Sequence, residues 1–293
     1  IAIPHDLLPM SYLDHIRACN RWDPRQFVSF RVEGEQVGLI RRDFVPHLRD
    51  WPEILSAGEE GVEWIHAATD LEERSRLLHG LLVDLHAKGA IGHIHGERYP
   101  VAARERLHPR LLIDRSAAPY FGIRAYGQHL NGFVRSRDGI MLWIARRAAD
   151  RRVYPDHLDN LAAGGLPWGL GLTENIRKEC REEAGMPESL SSRAVAVGAV
   201  TYCVEGPHGL KPDVMYCYDL ELPEEFQPVN TDGEVAGFEL LPVAEVMARV
   251  RDTDDFKINC NLVIIDFLIR HGFIGPDEPD YLDLIQGLRS PLP

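Results

Sequence analysis

Apolar residues recur along the chain with two periods. From Ser11, SYLDHIRACNRW sets Leu13, Ile16 and Trp22 on one side of a 3.6-residue repeat and predicts a helix. FVSFRVEGEQVGLI alternates in two runs about Glu33-Gly34-Glu35, the pattern of a β-hairpin. LEERSRLLHGLLVDLHAKG is the clearest long helix. Leu71, Leu78, Leu82 and Leu85 fall at helical spacing, and Gly89 offers a left-handed stop. Short strands are expected at residues 91–94 and 98–102.

The texture changes past residues 114–123, where Pro119 and Gly122 interrupt the chain. GQHLNGFVRS and GIMLWIARR predict two strands about a turn at 137–139. Further strand patterns occupy 194–204, 214–222 and 237–242. Helices are expected at 243–251 and 259–271, the second capped by Asn259 and Asn261. Between these lies a short helix from Thr173 to Gly185. Thr173 is its expected cap, Glu174 suits the positive end of its dipole, and Gly185 with Pro187 ends it. Strands before and between helices give an α+β class. The break predicts a smaller α+β unit over 1–120 and a larger one over 121–293.

Composition narrows the function. Acids outnumber bases 45 to 32, a net charge of -13, which excludes a nucleic-acid binder relying on phosphate attraction. An anionic small molecule remains open, because a divalent cation inverts the local charge. The five cysteines are odd in number and widely spaced, without CxxC, so a reducing, cytoplasmic compartment is expected rather than disulfides or a zinc ribbon. IAIPHDLLPM lacks the basic start of a secretory leader, no apolar run is long enough to span a bilayer, and residues are expected to precede Ile1.

The chemistry concentrates on the short helix. At 100° per residue Glu179, Glu182 and Glu183 share one face, and Ile176, Cys180 and Ala184 form an apolar stripe beside it. Lys178 and Arg181 offset part of the carboxylate repulsion, and a hard cation with oxygen ligands would remove it. Gly164, Gly165, Gly169 and Gly171 let backbone approach closely. ExxEE alone is commonly a solvated acidic face. The longer segment AGGLPWGLGLTENIRKECREEAGM, however, resembles the Nudix box, GX5EX7REUXEEXGU with U aliphatic. Gly164, Glu179, Glu182, Glu183 and Gly185 match, with Cys180 and Met186 at the apolar positions. Leu170 and Lys178 stand where the box has glutamate and arginine, which leaves the number of metals and the rate open.

The resemblance implies an α/β/α sandwich with a mixed sheet over 121–293. It implies Mg²⁺, with Mn²⁺ as substitute, on Glu179, Glu182 and Glu183, and diphosphate hydrolysis. Glu234, in TDGEV, matches a position where these enzymes often place a base or a further metal ligand. Gly164, Gly165, Lys178, Lys211 and Arg146 are candidate phosphate contacts, a solvated surface charge being the rival reading for Lys211 and Arg146. Tyr202, Trp168 and His129 are candidate walls of a heteroaromatic pocket, with core packing as rival. YPDHLDNLAAGG, DVMYCYDLELPEEFQPVNTDGEV, FKINCNLVIIDFLIRHGFI and LIDRSAAPYFGI look like one Nudix subfamily, related to thiamin pyrophosphokinase and carrying an extra N-terminal domain. It implies thiamin diphosphate, or its oxidised analogues, as substrate. Two alternatives stand: hydrolysis of a nucleoside diphosphate derivative, and a module that binds a diphosphate without cleaving it. The N-terminal unit is expected to cover the pocket or support a homodimer. His86, His93 and His95 read as surface or polar-core histidines rather than metal ligands.

Overall fold

The computed structural model describes residues 11–137 and 139–293. The segment 1–10 and Asp138 of the expected turn lie outside the described residues.

Helix α1 (Tyr12–Cys19) opens on a capping box, in which Ser11 and Asp14 satisfy each other's backbone N–H groups. The hairpin follows as β1 (Phe27–Val32) and β2 (Glu35–Arg41). Its turn residues Glu33 and Gly34 both have positive φ, 55° and 76°, the handedness that a two-residue hairpin requires. Two short strands that the alternation did not reveal, β3 (Leu55–Ala57) and β4 (Gly61–Trp64), complete a sheet of order β2-β1-β4-β3, with β4 parallel to β1.

Helix α2 (Leu71–Ala87) starts at Asp70, whose carboxylate accepts from Glu73 N, and ends before Gly89 at φ 75°. It buries Leu78, Leu81, Leu82 and Leu85 in one core with Phe30, Ile40 and Ile113. Strands β5 (Arg98–Val101) and β6 (Leu111–Asp114) pair antiparallel. No strand forms at 91–94. The chain there leads into a loop whose His95 and Gly96 amides donate to the Asp114 carboxylate, at 3.0 and 2.7 Å. A short helix α3 (Ala118–Phe121) ends this unit at Gly122, φ 54°, where a Cβ would stand 1.9 Å from the Leu39 carbonyl oxygen.

The larger unit is built on β7 (Ala125–Ser136), β8 (Gly139–Arg147), β9 (Leu158–Asp159) and β10 (Ala162–Gly165). Helices α4 (Leu172–Ala184) and α5 (Glu188–Ser191) follow. Then come β11 (Val195–Gly206), β12 (Gly209–Glu221) and β13 (Val235–Pro242). Helices α6 (Val243–Asp252), α7 (Ile258–Arg270) and α8 (Tyr281–Gly287) close the chain. The sheet order is β11-β12-β7-β8-β13, mixed because β12 runs parallel to β7. Strand β7 pairs with β8 over its second half and with β10 over its first, so β7 and β8 diverge and β9–β10 fills the gap.

One face of the sheet is covered by α4, with Ile176, Cys180 and Ala184 packed on Leu130, Val134 and Trp143. The other face is covered by α6 and α7, with Val246, Val263 and Phe267 against Phe133 and Ile144. This is the expected α/β/α sandwich. Helix α1, first in sequence, buries Leu13, Ile16 and Cys19 in this second core rather than in the N-terminal one. All five cysteines are free and buried, and no helix among the described residues is long and apolar enough to cross a membrane.

Candidate active site

Helix α4 begins at Leu172, its cap two residues earlier than expected. Gly171 occupies the cap position and Thr173 lies inside the first turn without a capping bond. Gly185, at φ 60°, closes the last turn: its amide donates to Arg181 O and the Met186 amide to Cys180 O. Two buried amide side chains, without a signature in the sequence, tie the helix to the sheet. Asn175 Nδ2 donates to Gly165 O at 3.0 Å and to Gln128 Oε1 at 2.9 Å, while Gln128 Nε2 donates to Leu172 O.

These ties bring the glutamates against β10. Glu183 Oε2 accepts from the Ala163 amide at 2.7 Å. The Glu179 carboxyl lies over Gly164, where a Cβ would come within 2.2 Å of Cδ. Glu179 and Glu183 are buried, and Glu182 keeps about a third of its side chain exposed. Burial, then the charges of Asp159, Glu179 and Glu234, push the Glu183 carboxyl well above its ordinary pKa, although the Ala163 amide opposes them. Burial also raises Glu179, against the pull of Lys178. Lys178 does not reach outward as a phosphate contact: its Nζ stands 3.3 Å from Glu179 Oε1 and 3.0 Å from Glu182 Oε2.

The segment before β13 straps onto the end of α4. Val229 N donates to Ala184 O, and Thr231 N and Oγ1 donate to Glu182 O. It carries Glu234 into the electrostatic reach of Glu179 and Glu183, and Arg151 Nη2 holds its carboxylate at 2.7 Å.

The other candidates are distributed differently. Tyr202 is buried and donates to Asp213 Oδ2 at 2.8 Å, with Lys211 Nζ 3.4 Å from the same oxygen. His129 is buried too; its Nδ1 lies 2.8 Å from Asn160 Oδ1, and burial pulls its pKa down to about 4, so the ring is neutral. Neither side chain is an open pocket wall. Trp168 is half-buried and is placed by its amide, which donates to Arg98 O. Arg146 is engaged by Asp156 O, to which its Nη1 donates at 2.9 Å, and by Glu239 at 3.5 Å. Asn259 and Asn261 do not cap α7; they face His129 and His15. A cavity of about 260 Å³ lies in the N-terminal unit, bordered by Ser75, Arg76, His79 and Leu112, and not at α4.

A buried polar cluster beside the site has no counterpart among the sequence motifs. Ligand atoms of His129, Asp159 and Cys260 lie within 4.8 Å of one another. Asp159, however, already faces Arg147 at 2.8 Å and Lys257 at 3.4 Å. Burial would raise its carboxyl, but Lys257, His129 and Arg147 outweigh it and hold the group well below the ordinary range. The Cys260 thiol keeps its proton and donates to Asp159 Oδ1. A dication would there meet two fixed cations, whereas on α4 it would meet buried carboxylates with one partly exposed lysine. The donor set on α4 is therefore the one that fits a divalent ion.

Two family models divide the chain: a domain of unknown function, DUF4743, matches residues 11–125 and a NUDIX domain matches 127–261. The chloroplastic Nudix hydrolase 20 of Arabidopsis thaliana is 42% identical over 95% of this chain and 78% of its own length. Nudix hydrolase 24 of the same plant is 43% identical with the same coverage. The chain belongs to the Nudix hydrolase family. A yeast relative, the uncharacterized protein YJR142W, is 30% identical over 89% of this chain and 82% of its own, so the two-unit arrangement recurs beyond plants. The Nudix hydrolase described here is accordingly a pyrophosphohydrolase, and enzymes of this family generally use divalent metal ions.

Proposed function

We propose that this Nudix hydrolase cleaves the diphosphate of thiamin diphosphate, or of its oxidised analogues, to the monophosphate and phosphate, using Mg²⁺. The observation that carries the metal and phosphate reading is the pair of buried carboxylates, Glu179 and Glu183, held against β10 with their charge uncompensated by any buried cation on α4. Glu179, Glu182 and Glu183 would hold the ion, and Mn²⁺ would substitute. When bound, it supplies neutralisation of the phosphate oxygens.

The chain's own groups do the rest. The Ala163 amide fixes Glu183, and Gly164 leaves the space that Glu179 fills. Glu234, oriented by Arg151, takes the proton from the attacking water as its oxygen bonds to phosphorus and the bridging P–O bond breaks. The thiamin assignment is supported by the subfamily segments that run through both units.

The test is the initial rate of phosphate and monophosphate formation from thiamin diphosphate, oxothiamin diphosphate, ADP-ribose and dNTPs, each with Mg²⁺. The thiamin compounds are expected to lead, with the oxo form ahead. A wide margin for a nucleotide sinks the thiamin reading alone. Absence of turnover throughout, with binding retained in Glu183→Gln, sinks the hydrolytic one.

A further inference from the structure

The N-terminal unit reaches the glutamate site through two residues, Tyr99 on β5 and Arg115 just after β6. Both lie against Gly165, next in sequence to the glycine under Glu179. A Cβ on Gly165 would stand 2.0 Å from the Tyr99 hydroxyl and 3.4 Å from Arg115 Cζ. Only glycine lets the two units close to this distance. The Arg115 guanidinium is anchored once, Nη1 donating to Glu97 Oε2 at 2.8 Å, and its Cζ lies 5.8 Å from the Tyr99 ring centre.

Among the described residues, Nε and Nη2 of Arg115 and the hydroxyl of Tyr99 make no hydrogen bond within the protein. Tyr99 is 5% exposed, and its hydroxyl sits against the Gly165 backbone, free to donate to a ligand. Arg115 keeps 40% of its side chain open, although Tyr99, Glu97 and Gly165 crowd it. Gly165 adjoins Gly164, the glycine under Glu179, and the charge of Glu179 reaches both Tyr99 and Arg115 across β10.

We infer that the N-terminal unit completes the active site, Arg115 and Tyr99 donating to the phosphate oxygens of the diphosphate substrate. Building on the diphosphatase reading above, this gives the domain of unknown function a role in substrate binding. A planar fork with two open donors suits a phosphate better than a single ammonium does. Glu97 then positions Arg115 rather than touching substrate. His95 Nδ1, 3.8 Å from the same Glu97 oxygen, extends that support.

The test uses the full chain and imidodiphosphate, a diphosphate with a hydrolysis-resistant bridge, titrated calorimetrically. Arg115→Ala should weaken its Kd by about 10- to 100-fold, the value of one or two charge-assisted hydrogen bonds. KM for thiamin diphosphate should rise with it, and added guanidinium should recover part of the loss. Arg115→Lys, which keeps the charge and loses the fork, should fall between. An Arg115→Ala chain that folds and binds imidodiphosphate within about twofold of wild type overturns the inference. If that variant does not fold, Arg115→Lys decides: wild-type affinity overturns it. Wild-type protein that binds imidodiphosphate without hydrolysing thiamin diphosphate sinks the substrate reading alone, and the role of Arg115 then stands or falls on the change in Kd.

Discussion

Replacing Gly164 with alanine separates the packing role of the β10 glycines from their role in the site. The added methyl would stand 2.2 Å from Glu179 Cδ and 2.4 Å from both carboxylate oxygens, so Glu179 must move. What it meets is the end of a flexible side chain, not backbone. If Glu179 were locked in place, overpacking would cost about 1–3 kcal/mol. It is not locked. Burial disfavours its charged form, its carboxylate has a single lysine contact, and Lys178 is itself partly exposed. Swinging outward relieves desolvation, so the net stability loss should stay under about 1 kcal/mol, or about 2–4 °C in the melting midpoint.

The site should suffer far more. Changes that merely disturb the surroundings of a metal ligand typically lower metal affinity by about 10- to 100-fold, and this one displaces the ligand. The assay is the Mg²⁺ concentration giving half-maximal phosphate release, measured beside the melting midpoint without metal. The expected result is a rise of about tenfold or more in that concentration with little change in melting. An unchanged Mg²⁺ requirement accompanied by a large melting loss would show that Gly164 serves backbone packing alone, and would remove Glu179 from the proposed ligand set.

Three single groups give further outcomes. Glu183→Gln keeps the volume and an oxygen for the Ala163 amide but removes a buried charge. Activity should fall by about two to three orders of magnitude while metal-free melting holds or rises, and a large melting loss would contradict the uncompensated burial of this carboxylate. Gly122→Ala sets a methyl 1.9 Å from the Leu39 carbonyl at φ 54°, where neither the β2 backbone nor the turn that ends α3 can yield cheaply. It should cost at least about 2 kcal/mol by urea unfolding, and a neutral result would refute the packing of α3 on β2. At Asp219, burial raises the carboxyl but hydrogen bonds from Arg270 and His271 outweigh it and leave the folded pKa below the ordinary 3.8. That stabilisation is therefore present above 3.8 and lost as the pH falls through the lower folded value. Melting of wild type and Asp219→Asn should converge below about pH 4, and a gap that persists unchanged there would overturn the linkage.

Much of this architecture was legible because periodicity survives wherever one face is buried. The hairpin β1–β2, the helices α2 and α4 and the long strands β7 and β8 all carry it. Strand β10 does not: AAGG has no alternation, because its glycines make room for Glu179 on one side and for Tyr99 and Arg115 on the other. The glutamates were found by their spacing, which is local. Their burial was not, since it depends on Asn175 and Gln128 tying α4 to two strands far apart in sequence. For the same reason the sequence leaves Tyr202 and His129 open between pocket wall and core, and it is their partners Asp213 and Asn160 that decide for the core.

Helix α1 carries the most physical consequence of these long-range effects. It lies within the N-terminal match yet packs on α7 and α8, so the described residues start in the second core, leave to build the first, and return at β7. The N-terminal unit is thereby held at both ends to the Nudix domain. Parting the units would require freeing α1 from a core that buries Leu13, Ile16 and Cys19, as well as opening the contact at Gly165. A unit anchored in this way can present Arg115 and Tyr99 at a fixed place beside the glutamates, as a preorganised phosphate contact requires.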